Sequence, residues 1–276
     1  MTIREIENAL EEGQSLKQIA QAYSEIANQK MKRIRAASER NRIFLKEISS
    51  IYTFVRNLAL KKGLAMAKPK ARISLVLTSN YRFYGQVNSD LLQFFISSIA
   101  KMQTDIVVIG KVGQEFFHTS KQFKSIPSII LKTDQPDALE LKGLVDIIKD
   151  YNQVLVFHSS LKTILMQQPT VSQISAAAQN FTKNEKEKFK FIFEPELPKV
   201  VNFFDSQILT LLLEGTFLES EVSRTASRFV SMDQAEIEAN KFIKEYGKLR
   251  SYAKRNLDNN TILENFASMA AVRREV

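Results

Sequence analysis

All six prolines of this 276-residue chain fall in its middle portion, and this constrains the fold more than any other feature. They stand at positions 69, 127, 136, 169, 195 and 198, so residues 1–68 and 199–276 contain none. A proline inside a helix costs about 3 kcal/mol, so long proline-free stretches rich in good helix formers are typical of helix. We therefore predict an N-terminal helix over 1–68, a central domain over 69–198 and a C-terminal helix over 199–276.

Helices of this length need a partner along most of their extent. A fully helical stretch of this size would span on the order of 100 Å, and apolar residues in both stretches recur at alternating spacings of three and four. That spacing is typical of a coiled-coil seam. A compact middle would return the chain near its entry point, so we predict that the two ends form a long antiparallel coiled coil. Two amphipathic helices packed on a globular body remain the alternative.

The predicted seam contains a fault, because the N-terminal apolar residues fall into two sets that are one residue out of frame. The first set is Leu16, Ile19, Tyr23 and Ile26. The second set is Met31, Ile34, Leu45, Ile48, Tyr52 and Val55. The C-terminal seam is predicted at Ala239, Ile243, Tyr246, Ala253 and Leu257, with Arg250 at the position between. Gly13 and Gly247 could each loosen a helix locally.

The middle of the chain alternates strand and helix patterns. Apolar, β-rich runs predict strands, and stretches with helical spacing lie between them. The predicted strands are 71–79, 105–113, 128–133 and 153–160, and the predicted helices are 89–102 and 137–152. Alternation of this kind favours a parallel sheet with helices on its faces, so we expect a Rossmann-like α/β domain. Residues 163–178 and 188–198 are predicted to add further strands at an edge.

The sequence lacks the residues that most catalytic and metal sites need. It has no cysteine and two histidines. His158 ends an apolar strand and is expected to be packed, while His118 lies in a loop-like segment without a metal-binding partner. The turn after the first predicted strand offers one glycine, Gly85, where a dinucleotide site needs three, and Gly110–Gly113 lacks the spacing of a phosphate loop. We therefore expect no cofactor, no metal and no catalytic residue.

Net charge and hydropathy limit the partners and the location. A formal charge of +9 favours an anionic partner, whether nucleic acid, anionic lipid or an acidic protein surface. No apolar run approaches the roughly 20 residues of a membrane span, and the N-terminal residues are too charged for a signal peptide. We therefore expect a cytoplasmic protein without a direct membrane span.

The most basic stretch covers residues 30–42. It contains one acidic residue, Glu39, and six basic residues, which are Lys30, Lys32, Arg33, Arg35, Arg40 and Arg42. On a helix these side chains surround much of the circumference. They could form a solvated face, or they could bind an acidic protein surface or nucleic acid. Nucleic-acid binders often interleave aromatic residues with such bases, and none occurs here, which disfavours nucleic acid.

The residues can now be compared with a known family, because four ordered regions of the chain resemble the gamma subunit of rotary F-type ATP synthases. The first is the family's Ser-Asp-Arg-Gly-Leu-Cys-Gly-Gly-hydrophobic-Asn turn, matched by Ser79, Gly85, Val87 and Asn88. The second is an N-terminal helix motif, matched by Ile19, Ala22, Ile26, Ala27, Lys30 and Met31. The third is an aromatic-x-aromatic-Glu-Pro strand end, matched by residues 191–195. The fourth is a C-terminal helix motif with its tail, matched by Glu221, Ala226, Arg228, Met232, Asp233, Ala235 and residues 267–272.

The resemblance implies a rotating shaft. In this family the terminal helices form an antiparallel coiled coil inside a ring of three alpha and three beta subunits, and the catalytic sites are on beta. An epsilon-like subunit and the membrane rotor ring are further partners that the resemblance implies. The family uses basic side chains against acidic loops of beta, which implies that the contact residues are Tyr23, Lys30, Lys32, Arg33, Arg35, Arg82, Lys254 and Arg255.

Several positions depart from the family pattern. Asn80 and Tyr81 replace an Asp-Arg pair, and Arg82 is then the candidate to take over the arginine contact. Lys254 and Arg255 replace an Arg-Gln pair. These departures leave open an ordinary ATP synthase shaft that has diverged, or the shaft of an ATPase-only rotary complex that drives another machine. A non-rotary coiled-coil interaction protein is a further alternative.

Overall fold

The computed structural model describes residues 2–63, 70–119, 126–174 and 194–272. Contacts divide the chain into two compact units, which are Met1–Ile26 with Phe229–Val276 and Ala27–Arg228. The boundaries at 68/69 and 198/199, which were based on proline positions, stay a prediction. Residues 188–193 of the strand predicted over 188–198 lie outside the described residues, and the last part of that prediction was wrong, because α5 begins at Leu197.

Two long helices begin and end at residues whose chemistry suits those positions. Helix α1 covers Ile3–Lys61 and helix α5 covers Leu197–Val272. Gly63 follows α1 with a φ of 72°, a conformation that glycine adopts without steric cost, and its N–H donates to Leu60 O. Pro198 lies in the first turn of α5, where a missing N–H costs no helical hydrogen bond.

The helices run antiparallel within each unit. In the first unit, Gln21 Nε2 donates to Glu236 Oε1 at 2.7 Å, and Arg250 Nη2 lies 2.9 Å from Glu7 Oε1. In the second unit, pairs with rising numbers on α1 and falling numbers on α5 are Lys30–Glu221, Asn41–Glu214 and Tyr52–Asp205. These contacts agree with the predicted antiparallel pairing.

The predicted fault in the seam of α1 was wrong. Leu16, Ile19, Tyr23 and Ile26 are 40–62% exposed, whereas the buried residues Ile6, Gly13, Ala20, Ala27 and Ile34 recur every seven positions. This series is in frame with the second predicted set, so the buried positions of α1 in the two units share one heptad frame. Its N-terminal half uses small residues, which let helices approach closely. The apolar pattern had identified the bulkier residues one position away, about 100° around the helix.

The C-terminal seam agrees with the prediction over part of its length. Ala239 is buried, and Ile243, Tyr246 and Ala253 are partly covered. Leu257 is 52% exposed, so it does not belong to the buried seam. Between Tyr246 and Ala253, Arg250 stands at a seam position but is exposed and forms an ion pair with Glu7.

A mixed five-stranded sheet lies in the second unit. In chain order its described elements are β1 (Lys70–Leu77), α2 (Val87–Ile99), β2 (Asp105–Ile109), α3 (Lys111–Thr119), β3 (Ser128–Ile129), α4 (Ala138–Ile148), β4 (Tyr151–Thr163) and β5 (Met166–Gln173). The strand order is β3-β2-β1-β4-β5. The first four strands are parallel, and β5 is antiparallel to β4 at the edge. The predicted parallel sheet with an added edge strand is therefore confirmed over these residues.

Helices cover both faces of the sheet. On one face, Leu75 of β1 belongs to a buried cluster with Leu144 of α4 and Leu213 of α5. On the other face, Val76 belongs to a cluster with Phe95 of α2 and Phe117 of α3. Successive residues of a strand point to opposite faces, so Leu75 and Val76 of β1 are both apolar and buried because both faces are covered. The predicted fold class, long terminal helices with a Rossmann-like α/β domain, is confirmed.

Two predictions for the middle of the chain need correction. The strand predicted over 105–113 ends at Ile109, and α3 follows, so His118 lies in the last turn of a helix and not in a loop. Gly110 has a φ of 104° and turns the chain, and it hid the start of the helix from a pattern-based reading. The strand predicted over 128–133 ends at Ile129. Beyond it, the backbone oxygens of Leu131 and Thr133 accept hydrogen bonds from the Asn80 side chain instead of a neighbouring strand.

Candidate partner interface

The turn after β1 is closed by the residues that match the family motif. Asn88 Oδ1 accepts from the Ser79 N–H at 3.3 Å, and Asn88 Nδ2 donates to Ser79 Oγ at 2.8 Å. Ser79 Oγ donates in turn to Tyr81 O at 2.6 Å. Gly85 has a φ of 57°, which a residue with a side chain rarely adopts. The matched residues therefore hold the turn in shape.

A buried carboxylate, Asp134, fixes the same turn from the other side. Its Oδ1 accepts from the Asn80 N–H and its Oδ2 accepts from the Tyr84 hydroxyl, both at 2.6 Å. Burial, together with the charge of Asp134, raises the pKa of Tyr84, so the hydroxyl stays protonated and donates. The sequence offered no strong signal for Asp134, because a lone Asp before a proline also suits an ordinary turn.

Two glycines that resembled a phosphate loop have a packing role. A Cβ on Gly110 would overlap Thr78 O, and a Cβ on Gly113 would lie 2.7 Å from Thr78 Oγ1. The Gly113 N–H donates to that hydroxyl at 2.9 Å. The glycines therefore let α3 approach the end of β1, and the Gly113 N–H is already engaged.

The crevice where open α/β sheets usually bind ligands is filled by α5. In this strand order the crevice lies between the carboxyl ends of the parallel strands β1 and β4. Here the strand order reverses, because β2 and β3 follow on one side of β1, and β4 and β5 on the other. Arg224 is 1% exposed, and its Nη1 lies 3.5 Å from Leu77 O at the end of β1. Ser159 of β4 donates to Ser220 O at 3.4 Å. A helix of the same chain therefore occupies the position that a nucleotide would need.

His158 lies in this packed region. Its Nε2 is 2.8 Å from Ser172 Oγ and the residue is fully buried. Burial lowers the pKa of His158, against a smaller opposing contribution from the charge of Glu219. The arrangement fits a packed, neutral histidine. Among the described residues no cluster of three or more His, Asp or Glu could hold a metal ion.

The outer side of the β1–α2 turn is aromatic and basic. Tyr81 and Phe83 are 51% and 68% exposed, and Arg82 lies between them with one ion pair, at 3.2 Å from Glu115. Phe83 has a φ of 67°, which is uncommon for a bulky residue and often accompanies a functional surface. Exposed aromatic and arginine side chains are the residue types that dominate binding sites.

Arg228 of α5 holds this turn from beneath. Its guanidinium carbon lies 4.0 Å from the centre of the Tyr84 ring, and Nη2 donates to Arg82 O at 3.1 Å. Ser227 Oγ donates to Tyr84 O at 2.9 Å. The family match included Arg228, but sequence reasoning assigned it no role, because its partners are backbone oxygens distant in sequence.

The basic stretch of α1 divides into engaged and exposed residues. Lys30 lies 2.5 Å from Glu221, whose side chain is 2% exposed, so this predicted contact residue has a partner within the chain. Arg42 pairs with Glu39. By contrast, Lys32, Arg33 and Arg35 are exposed, and among the described residues none of them forms an ion pair. These three side chains form the open basic surface of the second unit.

The first unit carries an apolar surface of its own. Leu16, Ile19, Tyr23 and Ile26, which we term the outer stripe, lie on one side of α1 away from the seam. Outside the stripe and the seam, the surface of α1 is polar, as at the exposed residues Gln18 and Glu25. Lys254 and Arg255 of α5 are both exposed. Tyr23, Lys254 and Arg255 are therefore all accessible in this unit.

Comparison with known proteins identifies the family. Residues 2–255 match the family model described as ATP synthase. The ATP synthase gamma chain of Staphylococcus epidermidis is 22% identical over 272 residues, covering 91% of this chain and 94% of the relative. The ATP synthase gamma chain of Lachnoclostridium phytofermentans is 22% identical, covering 98% of this chain and 99% of the relative.

Solved structures share the fold. A chain from the central stalk and c-ring of the Tetrahymena thermophila mitochondrial ATP synthase has a TM-score of 0.59 at 19% identity, covering 79% of this chain and 99% of that chain. A rotor chain of the Euglena gracilis mitochondrial ATP synthase has a TM-score of 0.60 at 12% identity, covering 92% and 98%. Together with the match over nearly the whole sequence, these findings establish that the chain belongs to the gamma-chain family of the ATP synthases.

Proposed function

We propose that this chain is the central rotor shaft of an F-type rotary ATPase. It couples ATP hydrolysis or synthesis in a ring of alpha and beta subunits to rotation, and the catalytic sites lie on beta. The observation that carries the proposal is the outer stripe. In the first unit the helices already bury Ile6, Gly13 and Ala20 in their seam, yet α1 exposes a second row of large apolar residues. Such a row on a soluble chain marks a protein contact.

The proposed mechanism depends on differential contact. A ligand shifts a conformational equilibrium only as far as it binds one state better than another. The outer stripe gives α1 one apolar side, while Gln18 and Glu25 make the neighbouring side polar. A surrounding beta subunit therefore meets a different surface at each orientation of the shaft. That asymmetry makes the three catalytic sites inequivalent.

Basic residues add an electrostatic contact to this scheme. Lys32, Arg33 and Arg35 are exposed, and they suit acidic loops on beta. Tyr23, Arg82, Lys254 and Arg255 are also exposed and stay proposed contact residues. Lys30 contributes less than predicted from sequence, because its charge is engaged by Glu221.

The remaining partners follow from the proposed position in the complex. No described helix has the length and hydropathy that crossing a membrane requires. We place the chain on the cytoplasmic side, attached to the membrane through the complex, with the membrane rotor ring and an epsilon-like subunit as further partners. No role for nucleic acid or a cofactor is part of this proposal.

Affinity purification of the tagged full chain from its native host tests the proposal. We expect alpha and beta subunits to co-purify, with ATPase activity in the eluate. Tyr23→Asp with Ile19→Asp should reduce recovery of active complex, because both residues belong to the proposed contact stripe. The chain itself should still fold, because both side chains are exposed and the seam stays intact. Leu139→Asp is the control, since Leu139 is 78% exposed on α4. Recovery of the chain without any ATPase subunit would refute the proposal.

A specialised complex is a second candidate function, and one observation favours it. The turn after β1 presents Tyr81 where the family has arginine and Phe83 where it has leucine, and both aromatic rings are exposed. Exposed substitutions at a contact turn indicate a changed partner, such as another machine driven by ATP hydrolysis alone. Robust ATP-driven proton pumping by native membranes that carry the complex would exclude this candidate.

A further inference from the structure

The β4–β5 hairpin ends in an exposed apolar tip. Ile164, Leu165 and Met166, which we term the hairpin tip, are 41%, 79% and 57% exposed. Phe157 is the last residue of β4 that pairs with β1, and β4 continues to Thr163, so the tip lies beyond the end of β1. Hairpin turns usually carry Gly, Asn or Asp, and exposed strand edges usually carry charge. Three consecutive apolar residues here indicate an interaction surface.

Hydrogen bonds and packing hold the hairpin tip in one arrangement. The Met166 N–H donates to Thr163 Oγ1 at 3.1 Å, and Gln167 Nε2 donates to Ile164 O at 2.6 Å. Below the tip, Ser160 Oγ donates to Glu219 Oε1 at 2.5 Å. A surface that is ordered before binding loses less entropy when a partner docks.

Packing also brings the hairpin beside the open basic surface of α1. Leu161 packs against a buried cluster that contains Ile34 of α1. Arg33 and Arg35 flank Ile34 in sequence. Leu165 is four residues beyond Leu161, so its Cα lies within about 14 Å of the Leu161 Cα. Apolar and positively charged side chains thus occupy neighbouring positions in the second unit.

We propose that the hairpin tip is a second docking element for the alpha–beta ring, and that it inserts into an apolar surface bordered by carboxylates. This inference rests on the proposed function and adds a contact to it. Charge complementarity with Lys32, Arg33 and Arg35 selects the acidic border, and the tip itself supplies the apolar anchor.

A binding experiment with matched leucines tests the inference. The full chain is labelled and titrated with the alpha–beta ring, as wild type, Leu165→Asp and Leu139→Asp. The two leucines are 79% and 78% exposed in the same unit, so neither change should unfold the chain. We expect Leu165→Asp to weaken binding at least about tenfold and Leu139→Asp to leave it unchanged. A photo-crosslinking residue at position 165 should join the chain to a ring subunit, whereas one at position 139 should not.

The outcomes separate the inference from the proposed function. If wild-type chain does not bind the ring, the proposed function fails, and this inference fails with it. If wild type binds and Leu165→Asp binds equally well without a crosslink from position 165, the inference alone is wrong. A crosslink from position 165 to a second copy of the chain would also overturn it. So would binding to phosphatidylglycerol vesicles that Leu165→Asp abolishes while ring binding is kept.

Discussion

Lys30 and Glu221 form one partly buried ion pair, although the family match identified them in separate helices. The Glu221 side chain is 2% exposed and accepts from Lys30, while its second oxygen has no hydrogen-bond partner among the described residues. Sequence reasoning assigned Lys30 to a partner protein, because a basic residue on a helix gives no sign of a carboxylate that follows much later in the chain. The two matches together therefore reflect a contact within the fold.

Removing the positive partner should destabilise the chain. Lys30→Met leaves the Glu221 carboxylate buried without a counter-charge. Breaking a fully buried pair costs about 3–5 kcal/mol, and because the Lys30 side chain is 37% exposed we expect about 1–3 kcal/mol here. Denaturant unfolding of the full chain measures it, with Arg42→Met at the exposed Glu39–Arg42 pair as control. Equal stability of Lys30→Met and wild type would contradict the assignment. It would also be contradicted if the double variant Lys30→Met with Glu221→Gln were no more stable than Lys30→Met alone.

His158 predicts a pH dependence of stability. Because burial lowers its pKa in the folded state, the unfolded chain binds a proton more readily below the ordinary value of 6.5. The free energy of unfolding should then fall as pH drops below 6.5, by at most about 1.4 kcal/mol per pH unit from this residue. His158→Gln should reduce that slope between about pH 7 and pH 5.5. The matched control is His118→Gln, which removes an exposed histidine, and identical slopes for all three proteins would refute the prediction.

At the scale of elements, the long proline-free stretches predicted α1 and α5 correctly. The face of α1 that forms the seam was predicted wrongly, because the prediction followed the largest apolar side chains. Large apolar residues draw attention in a pattern, whereas Gly13, Ala20 and Ala27 form the true seam. Small residues are good seam residues when helices pack closely, and this preference is not visible in hydropathy. The large residues lie one position away in the exposed outer stripe, which we propose as a partner contact.

The two helical glycines should respond differently to a larger side chain. A Cβ at Gly13 would lie 2.9 Å from Phe242 Cδ1, while no described atom lies within 4 Å of one at Gly247. Gly247→Leu should stabilise the chain by up to about 1 kcal/mol through helix propensity. Gly13→Leu should destabilise it by about 1–3 kcal/mol through overpacking. Thermal unfolding followed by circular dichroism measures both, and a shift of the same sign in the two variants would disprove the seam assignment.

The sheet was predictable where a strand has an apolar segment that is covered on both faces, as at residues 75–77 of β1 and 154–157 of β4. Helix α3 was missed because Gly110 and Gly113 serve contacts to Thr78, and a pattern cannot distinguish close packing from a turn. The contact surfaces were harder still. Asp134, Arg224 and Arg228 act through partners distant in sequence, so a single sequence gives no spacing by which to find them.

At the scale of the whole molecule, the described surfaces suit the proposed shaft role. Arg224 and the α5 residues around it fill the crevice of the sheet, and the conspicuous exposed features are apolar and basic side chains. The proposed shaft role therefore predicts effects on a partner's catalysis from residues that hold no substrate.

Reversing the open basic surface should impair coupling without preventing assembly. With Arg33→Glu and Arg35→Glu we expect the complex to form, because both side chains are exposed, and its ATPase rate or torque to fall. The loss should shrink as salt is raised, since screening weakens exposed charge pairs. The control makes the same charge change with Lys142→Glu on α4 and Lys149→Glu directly after it. Unchanged rate and torque in the Arg33 and Arg35 variant would remove the acidic-partner argument.

Observation of rotation in single complexes tests the central claim most directly. The chain has no cysteine, so Leu139→Cys offers one attachment point at an exposed residue for a bead. With the ring fixed to a surface and ATP supplied, we predict that the bead turns in one direction and pauses at three positions per revolution. A ring that hydrolyses ATP at full rate while the bead attached to this chain stays still would contradict the account.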